Sequence, residues 1–173
     1  IALHIGHRRS IDFDLFKATP FRVKNITGKI DKFHFHYKIT RNAPDQLNLI
    51  ISDVKFTFFE YPFPVNPNLN FENSIRLPSL LDLSAMKAYA LGRRSKWKDY
   101  VDLYFIIRSY HSITDITQRA NEIYGQLFSE KLFRAQLAFH KDIDYTEPVE
   151  FLVEPASDSE IKEFLLNAAI DIM

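Results

Sequence analysis

Hydrophobic and polar positions alternate along two stretches in the first quarter of the chain. In Arg8-Arg9-Ser10-Ile11-Asp12-Phe13-Asp14-Leu15-Phe16 the residues Ile11, Phe13 and Leu15 recur at every second place, and Phe33, Phe35, Tyr37 and Ile39 do the same within Lys32–Thr40. A period of two predicts strands, because successive side chains on a strand point to opposite faces. Ile11, Phe13 and Leu15 are therefore expected to bury while Asp12 and Asp14 project together. The turn residues Arg41–Asp45 lead to Leu47–Ile51, and Ser52-Asp53 joins that run to Val54–Phe59. These two runs predict a hairpin. Tyr61-Pro62-Phe63-Pro64-Val65-Asn66-Pro67 cannot extend a ladder, since proline has no N–H to donate. At the start, Ile1-Ala2-Leu3-His4-Ile5 followed by Gly6 reads as the last turn of a helix closed by glycine, so residues upstream of Ile1 are expected.

From Pro78 the period lengthens. Ser79-Leu80-Leu81-Asp82 has capping-box spacing, and Leu83, Met86, Ala90 and Leu91 follow at helical intervals up to Gly92. A second helix is predicted over Lys96–Tyr110. Its apolar residues, Val101, Leu103, Tyr104, Phe105, Ile106 and Ile107, run nearly all the way round, which is the pattern of a buried helix. Thr114-Asp115 is expected to open a third helix and Ser129–His140 to form a fourth. Ser157 or Asp158 would cap the last, with Ile161, Phe164, Leu165 and Ala168 inward. The fold expected is α+β: a mixed sheet flanked by helices in residues 1–77 and a helical portion in residues 78–173.

Composition narrows the function classes. Twenty-two basic residues balance twenty-two acidic ones, so no overall field draws the chain to nucleic acid or an anionic membrane, and such binding needs a local patch. The chain has no cysteine, which removes disulfides, zinc-thiolate sites and a cysteine nucleophile and fits a reducing cytoplasm. No apolar run approaches the ~18 residues of a membrane span.

The D-x-D of the first strand is the strongest chemical signal. Carboxylates two apart on a strand sit with Cα atoms about 6 to 7 Å from one another. Magnesium commonly takes one or two carboxylates together with substrate phosphates, so the pair suits a metal; an edge strand with a wet acidic face is the plainer alternative. Ser10 could donate to a phosphate or end a turn. Lys87 lies at the border of its helix's apolar face, where it could reach a phosphate or simply cover apolar surface with its stem. Asp99 and Asp102, three apart, share a helix face. Lys98 could pair with Asp102 at i+4. Asp99 is explicable as a first-turn acid, whereas Asp102 lies among bulky apolar residues and needs a partner. His34 and His36 form an H-x-H without an evident third ligand. The basic run Arg93-Arg94-Ser95-Lys96-Trp97-Lys98 reads either as a solvated interhelical loop or as a contact for nucleotide or nucleic-acid phosphates.

The succession His4-Ile5-Gly6-His7-Arg8-Arg9-Ser10-Ile11-Asp12-Phe13-Asp14, Tyr61-Pro62-Phe63-Pro64, Leu77 through Lys87 to Arg94, and Lys96-Trp97-Lys98-Asp99-Tyr100-Val101-Asp102-Leu103-Tyr104 resembles the AbiEii/AbiGii toxin family, nucleotidyltransferase-like proteins of toxin–antitoxin and abortive-infection systems. The resemblance implies a polymerase-β-like nucleotidyltransferase core and the transfer of a nucleotidyl group from a nucleoside triphosphate with Mg²⁺. Asp12 and Asp14 match the family's metal-binding carboxylates, Lys87 the lysine of its D-x-x-x-x-K helix, and Asp99 and Asp102 its K-D-x-x-D acids. By the same resemblance Ser10, Lys87, Lys98 and Asp99 line the nucleotide, and Asp102 orients Lys87 or activates the acceptor. A glycine-rich phosphate loop is expected upstream of Ile1. Lys55 and Thr57 stand on the strand where such cores often carry a third acid. An RNA acceptor and a cognate antitoxin are the partners implied, with no membrane. A catalytically silent nucleotide- or partner-binding relative is the alternative.

Overall fold

In the computed structural model, which describes residues 1–72 and 74–171, residues 10–64 form a sheet unit, and residues 1–9 group with the chain from Val65 onward in a helical unit. Along the chain, a one-turn helix α1 (Ala2–Ile5) precedes β1 (Asp12–Lys17), α2 (Val23–Lys32), β2 (Tyr37–Ala43), β3 (Gln46–Ile51), β4 (Val54–Glu60), the short strands β5 (Leu69–Phe71) and β6 (Ile75–Leu77), and then α3 (Leu80–Leu91), α4 (Trp97–Ser109), α5 (Ile113–Tyr124), α6 (Glu130–Ala138) and α7 (Asp158–Ile170). The architecture is the α+β arrangement with a mixed sheet that the patterning implies. Among the described residues no helix is long and apolar enough to cross a membrane.

The sheet has the order β1-β4-β3-β2, with β1 parallel to β4 and the other pairs antiparallel. Ser52 and Asp53 take positive φ values of 47° and 65°, so the expected β3–β4 hairpin closes through a tight turn whose twist matches its strands. Leu47 and Leu49, alternating on the interior strand β3, are fully buried. The register places Leu49 beside Phe56 and Phe56 beside Phe13, and Leu47 beside Phe58 and Phe58 beside Leu15, which makes one apolar face. Two expectations fail here. Ile11 is 73% exposed because it precedes β1, and Phe13 41% because β1 is an edge strand with a neighbour on one side only; Phe13 finds its cover by stacking on Phe56 at 5.2 Å. The strand expected over Lys32–Thr40 starts only at Tyr37. Lys32 ends α2 instead, His34 turns the chain at φ 58°, and Phe33 and Phe35 are exposed. Val23, Ile26, Thr27 and Ile30 do carry helical spacing in α2, but Gly28 interrupts the run and Arg22 provides no side-chain cap, so the local signal is weak.

In the helical unit the serines define the helix starts. Ser79 Oγ accepts from Asp82 N at 3.0 Å, Ser129 caps α6 and Ser157 caps α7. The capping box expected at α3 is only half made: the Asp82 carboxylate, almost wholly buried, accepts from Arg119 Nε at 2.6 Å and ties α3 to α5. A complete box occurs at α5, where Ser112 rather than Thr114 is the cap and Asp115 returns the bond. Helix α4 is buried round most of its circumference, as its composition requires, with Tyr100, Val101, Leu103, Tyr104 and Ile106 at the centre of a core completed by Ala85, Ala88 and Leu91 of α3, Ile116 and Ala120 of α5, Phe133 and Leu137 of α6, and Ile161 and Leu165 of α7. Each large side chain so buried contributes about 1.5 to 3 kcal/mol. The β5–β6 hairpin, in the part of the chain expected to belong with the sheet, groups with these helices.

Candidate functional site

Helix α4 begins on a basic, loop-borne segment and carries Asp99 in its first turn and Asp102 one turn on, both with no solvent exposure. The spacing of three turns both carboxylates to one side, as expected. Lys87 on α3 meets them there. Its Nζ lies 2.6 Å from Asp99 Oδ1 and 2.9 Å from Asp102 Oδ2, and its side chain is 14% exposed. Lys87 is thus a buried ion-paired group and not an apolar stem with its head in water.

Three further cations or donors complete the cluster; sequence reasoning gave His7 and Arg8 no role and read Arg94 only as part of the basic run. Gly6, at φ 62°, closes α1 in the left-handed region and starts an extended segment. That segment is held by Arg9 N donating to Glu150 O at 2.9 Å and Leu152 N donating to His7 O at 3.0 Å. It delivers His7 and Arg8 to α4. Arg8 grips Asp102 bidentately, Nε to Oδ1 at 2.7 Å and Nη2 to Oδ2 at 2.9 Å, while His7 Nε2 lies 2.8 Å from Asp102 Oδ1. A carboxylate only accepts, so Nε2 carries the proton; His7 Nδ1 is buried without a partner among the described residues. From the α3–α4 loop, Arg94 donates to Asp99 through Nε at 2.9 Å and Nη2 at 3.4 Å.

Burial alone would push the Asp102 carboxyl up, but Lys87, His7 and Arg8 outweigh it and hold it well below the usual carboxylate range. Asp99 is lowered in the same way, against burial, by Lys87 and Arg94. Lys87 is raised: burial opposes its charge, and Asp102 and Asp99 together overcome that. Two chemical consequences follow. Asp102 receives four donor contacts, about the number of lone-pair sites a carboxylate has, so it has no capacity left for a metal or a substrate proton. The same contacts hold Lys87 in place. Second, Arg8, Lys87 and Arg94 are three cations against two carboxylates, and the third N–H of Lys87 has no acceptor among the described residues. A cluster with surplus positive charge and a spare ammonium hydrogen suits an anionic ligand such as a phosphate.

In the sheet unit, Asp12 and Asp14 lie on one face of β1, Asp12 opposite Lys55 and Asp14 opposite Thr57 on β4. Lys55 Nζ is 3.9 Å from Asp12 Oδ2. Ser10 Oγ makes a long contact of 3.4 Å with the Asp12 carbonyl oxygen. No group of three or more His, Asp or Glu side chains positioned to cage a metal occurs among the described residues, so any ion on this face would rely on the two acids and on ligand oxygens. Lys98 does not pair with Asp102. It pairs with Glu147, as does Lys96, because Asp102 points inward to Lys87 and Arg8 and Lys98 does not. The basic run is solvated in part: Arg93 and Arg94 are exposed, while Arg94 also holds Asp99, Ser95 Oγ donates to Asp142 O at 2.7 Å, and Trp97 is buried. His34 and His36 are exposed on the connection between α2 and β2 and not on a strand.

Known proteins resemble this chain in sequence or in fold. A protein of Aquifex aeolicus (strain VF5), uncharacterized protein aq_aa25, is 28% identical over 179 residues, spanning 96% of this chain and 85% of the relative. MenT4, the nucleotidyltransferase toxin Rv2826c from Mycobacterium tuberculosis H37Rv, superposes with a TM-score of 0.57 at 13% identity, over 95% of this chain and 68% of its own. JHP933 from Helicobacter pylori gives a TM-score of 0.50 at 14% identity, over 94% and 75%. At such identities the likeness of the structures is a likeness of fold. The family described as nucleotidyl transferase AbiEii toxin, type IV toxin–antitoxin system, matches residues 1–171, and by that match the chain belongs to the AbiEii family of nucleotidyltransferase toxins.

Proposed function

We propose that this nucleotidyltransferase takes a nucleoside triphosphate with Mg²⁺, transfers the nucleotidyl group to an acceptor hydroxyl, with RNA as the first acceptor class to test, and is restrained in the cell by a cognate antitoxin. The observation that carries the reading is Lys87, a buried ammonium fixed by Asp99 and Asp102 with one hydrogen to spare. An ammonium so placed is preorganised for charge that develops on phosphate oxygens, and such preorganisation supplies much of the catalysis of phosphoryl-type transfers.

The donor set of β1 fits magnesium: two carboxylates on one face, with no His or Cys joining them in a metal-caging group among the described residues. Asp12 and Asp14 would hold the ion; when bound, it would polarise the α-phosphate oxygens. The acceptor hydroxyl gives its proton to solvent as its oxygen bonds to the α-phosphorus, the bond from that phosphorus to the bridging oxygen breaks, and pyrophosphate leaves. Lys87 offsets the negative charge on the phosphates. Asp102, its lone pairs occupied, keeps Lys87 in place and is not the base; Asp99 does the same with Arg94. Ser10, two residues before Asp12, keeps its part as a donor to phosphate in this reading, and Lys98 is engaged by Glu147.

The test is label transfer. The full chain is mixed with each triphosphate carrying label at the α or the γ position, Mg²⁺ and total RNA. The α label is expected on RNA and the γ label in pyrophosphate, with transfer reduced on the order of 100-fold or more in Asp14→Asn and in Lys87→Met. Transfer of the γ label would mean phosphoryl transfer and sink the proposal, as would full activity in either variant.

A further inference from the structure

The chain as a whole has no net charge, yet residues 22–41 of the sheet unit hold six basic side chains, Arg22, Lys24, Lys29, Lys32, Lys38 and Arg41, against one acid, Asp31. All six are exposed, and none is in an ion pair among the described residues. Helical pitch sets Lys24, Lys29 and Lys32 on one side of α2, with Asn25 between them, and Val23, Ile26 and Ile30 on the other. On β2 a bulge does similar work. The ladder to β3 slips by one residue between Ile39 and Arg41, so Lys38, opposite Ile50, and Arg41, opposite Asn48, come to the same face although they are three apart. Charge alone would only guard the edge strand β2 against pairing with another chain. Two aromatic rings go beyond that need. Phe33 and Phe35, in the connection between α2 and β2, are 72% and 54% exposed, with ring centroids 6.5 Å apart. Exposed rings set among unpaired cations are the equipment of a surface that stacks bases and holds phosphates.

We propose that the α2–β2 corner holds the acceptor RNA as a single strand, with bases stacked on Phe33 and Phe35 and phosphates on the lysines of α2 and on Lys38 and Arg41. The inference rests on the reading of RNA as acceptor and adds where the strand is held. A single strand suits the rings better than a duplex, because only unpaired bases can leave their own stack for a protein side chain. A membrane suits them less. A helix at a lipid surface turns its apolar face to the lipid, whereas the apolar side of α2 is half-buried and its exposed side is basic.

The experiment titrates the full chain into a fluorescent single-stranded RNA of about 12 nucleotides and reads anisotropy at several salt concentrations. Phe33→Ala combined with Phe35→Ala should weaken Kd about tenfold or more, and a strand of equal length without bases should bind this variant and the wild type alike. Both rings are exposed, so their loss opens no cavity. Lys29→Met combined with Lys32→Met should weaken binding to every sequence and flatten the plot of log affinity against log salt by about 1.4, at about 0.7 for each lost phosphate contact. In nucleotidyl transfer both double variants should raise KM for RNA and leave KM for the triphosphate unchanged. If both bind RNA like the wild type while the wild type labels RNA, the acceptor reading stands and this surface is overturned. Wild-type binding to phosphatidylserine vesicles and not to the oligonucleotide overturns it too. If RNA is neither bound nor labelled, the acceptor reading falls and takes this inference with it.

Discussion

Replacing Asp102 by Asn tests whether the Lys87 cluster is held by charge. The substitution keeps the size of the side chain and removes one of two anions facing Arg8, Lys87 and Arg94, so three cations are left with Asp99 alone. Breaking a buried pair by neutralising one partner costs about 3 to 5 kcal/mol. The Arg8 and Lys87 side chains are 11% and 14% exposed, which lets water relieve part of the loss and places the expectation at the lower end, about 3 kcal/mol. With domain stabilities of about 5 to 15 kcal/mol, that is a large fraction of the whole. Trp97, the only tryptophan, is buried at the start of the same helix, so its fluorescence reports on the helical unit. At a urea m-value of about 2 kcal/mol/M, the midpoint should fall by roughly 1.5 M with m unchanged. Adding Lys87→Met should recover part of it, with a coupling of at least about 1 kcal/mol. The pH dependence has two edges. Asp102 has a lowered pKa, so its stabilisation is full above the ordinary carboxylate range and is lost as pH falls below about 4. Lys87 has a raised pKa, so its contribution is full below the ordinary lysine value and is lost as pH climbs above about 10. The stability gap between wild type and variant should be flat between those limits and narrow outside them. A midpoint shift under about 0.5 M, or additive single and double variants, would refute the charge argument.

Two other perturbations check the local structure that presents the site. Ser112→Ala removes the complete capping box of α5 and is expected to cost about 1 kcal/mol, read as a fall of about 2 to 4 °C in Tm, with nucleotidyl transfer retained. Gly6→Ala meets no neighbouring atom but forces a side chain into the left-handed region at φ 62°, so a loss of about 1 kcal/mol is expected, together with a rise in KM because His7 and Arg8 depend on that turn; unchanged stability and kinetics would show that the turn does not set their position.

Much of this fold is written locally. Ser79, Ser129 and Ser157 cap their helices because a serine hydroxyl satisfies an exposed N–H within three residues of itself, and α4 is recognisable by composition alone. The β3–β4 hairpin is legible in its alternating runs, and the shared face of Asp99 and Asp102 is a consequence of helical pitch. Where a competing local signal intervenes, legibility drops. Phe33 and Phe35 alternate like strand residues but follow a helix, and α2 itself is masked by Gly28 and an uncapped start.

The partners of the charged groups lie beyond any such reading. Asp102 is paired with Arg8 and His7 from 94 and 95 residues away, and Lys98 takes Glu147 in preference to the acid one turn along its own helix. Ion pairs of this kind are chosen by which side chains the packed backbone brings within about 3 Å, and each buried charge then needs whatever counter-charge is there. Helix ends, strand alternation and the presence of an acidic pair were therefore decided by neighbours a few residues apart. The burial of Lys87, the saturation of Asp102 and the lysine facing Asp12 were decided only once distant segments had packed.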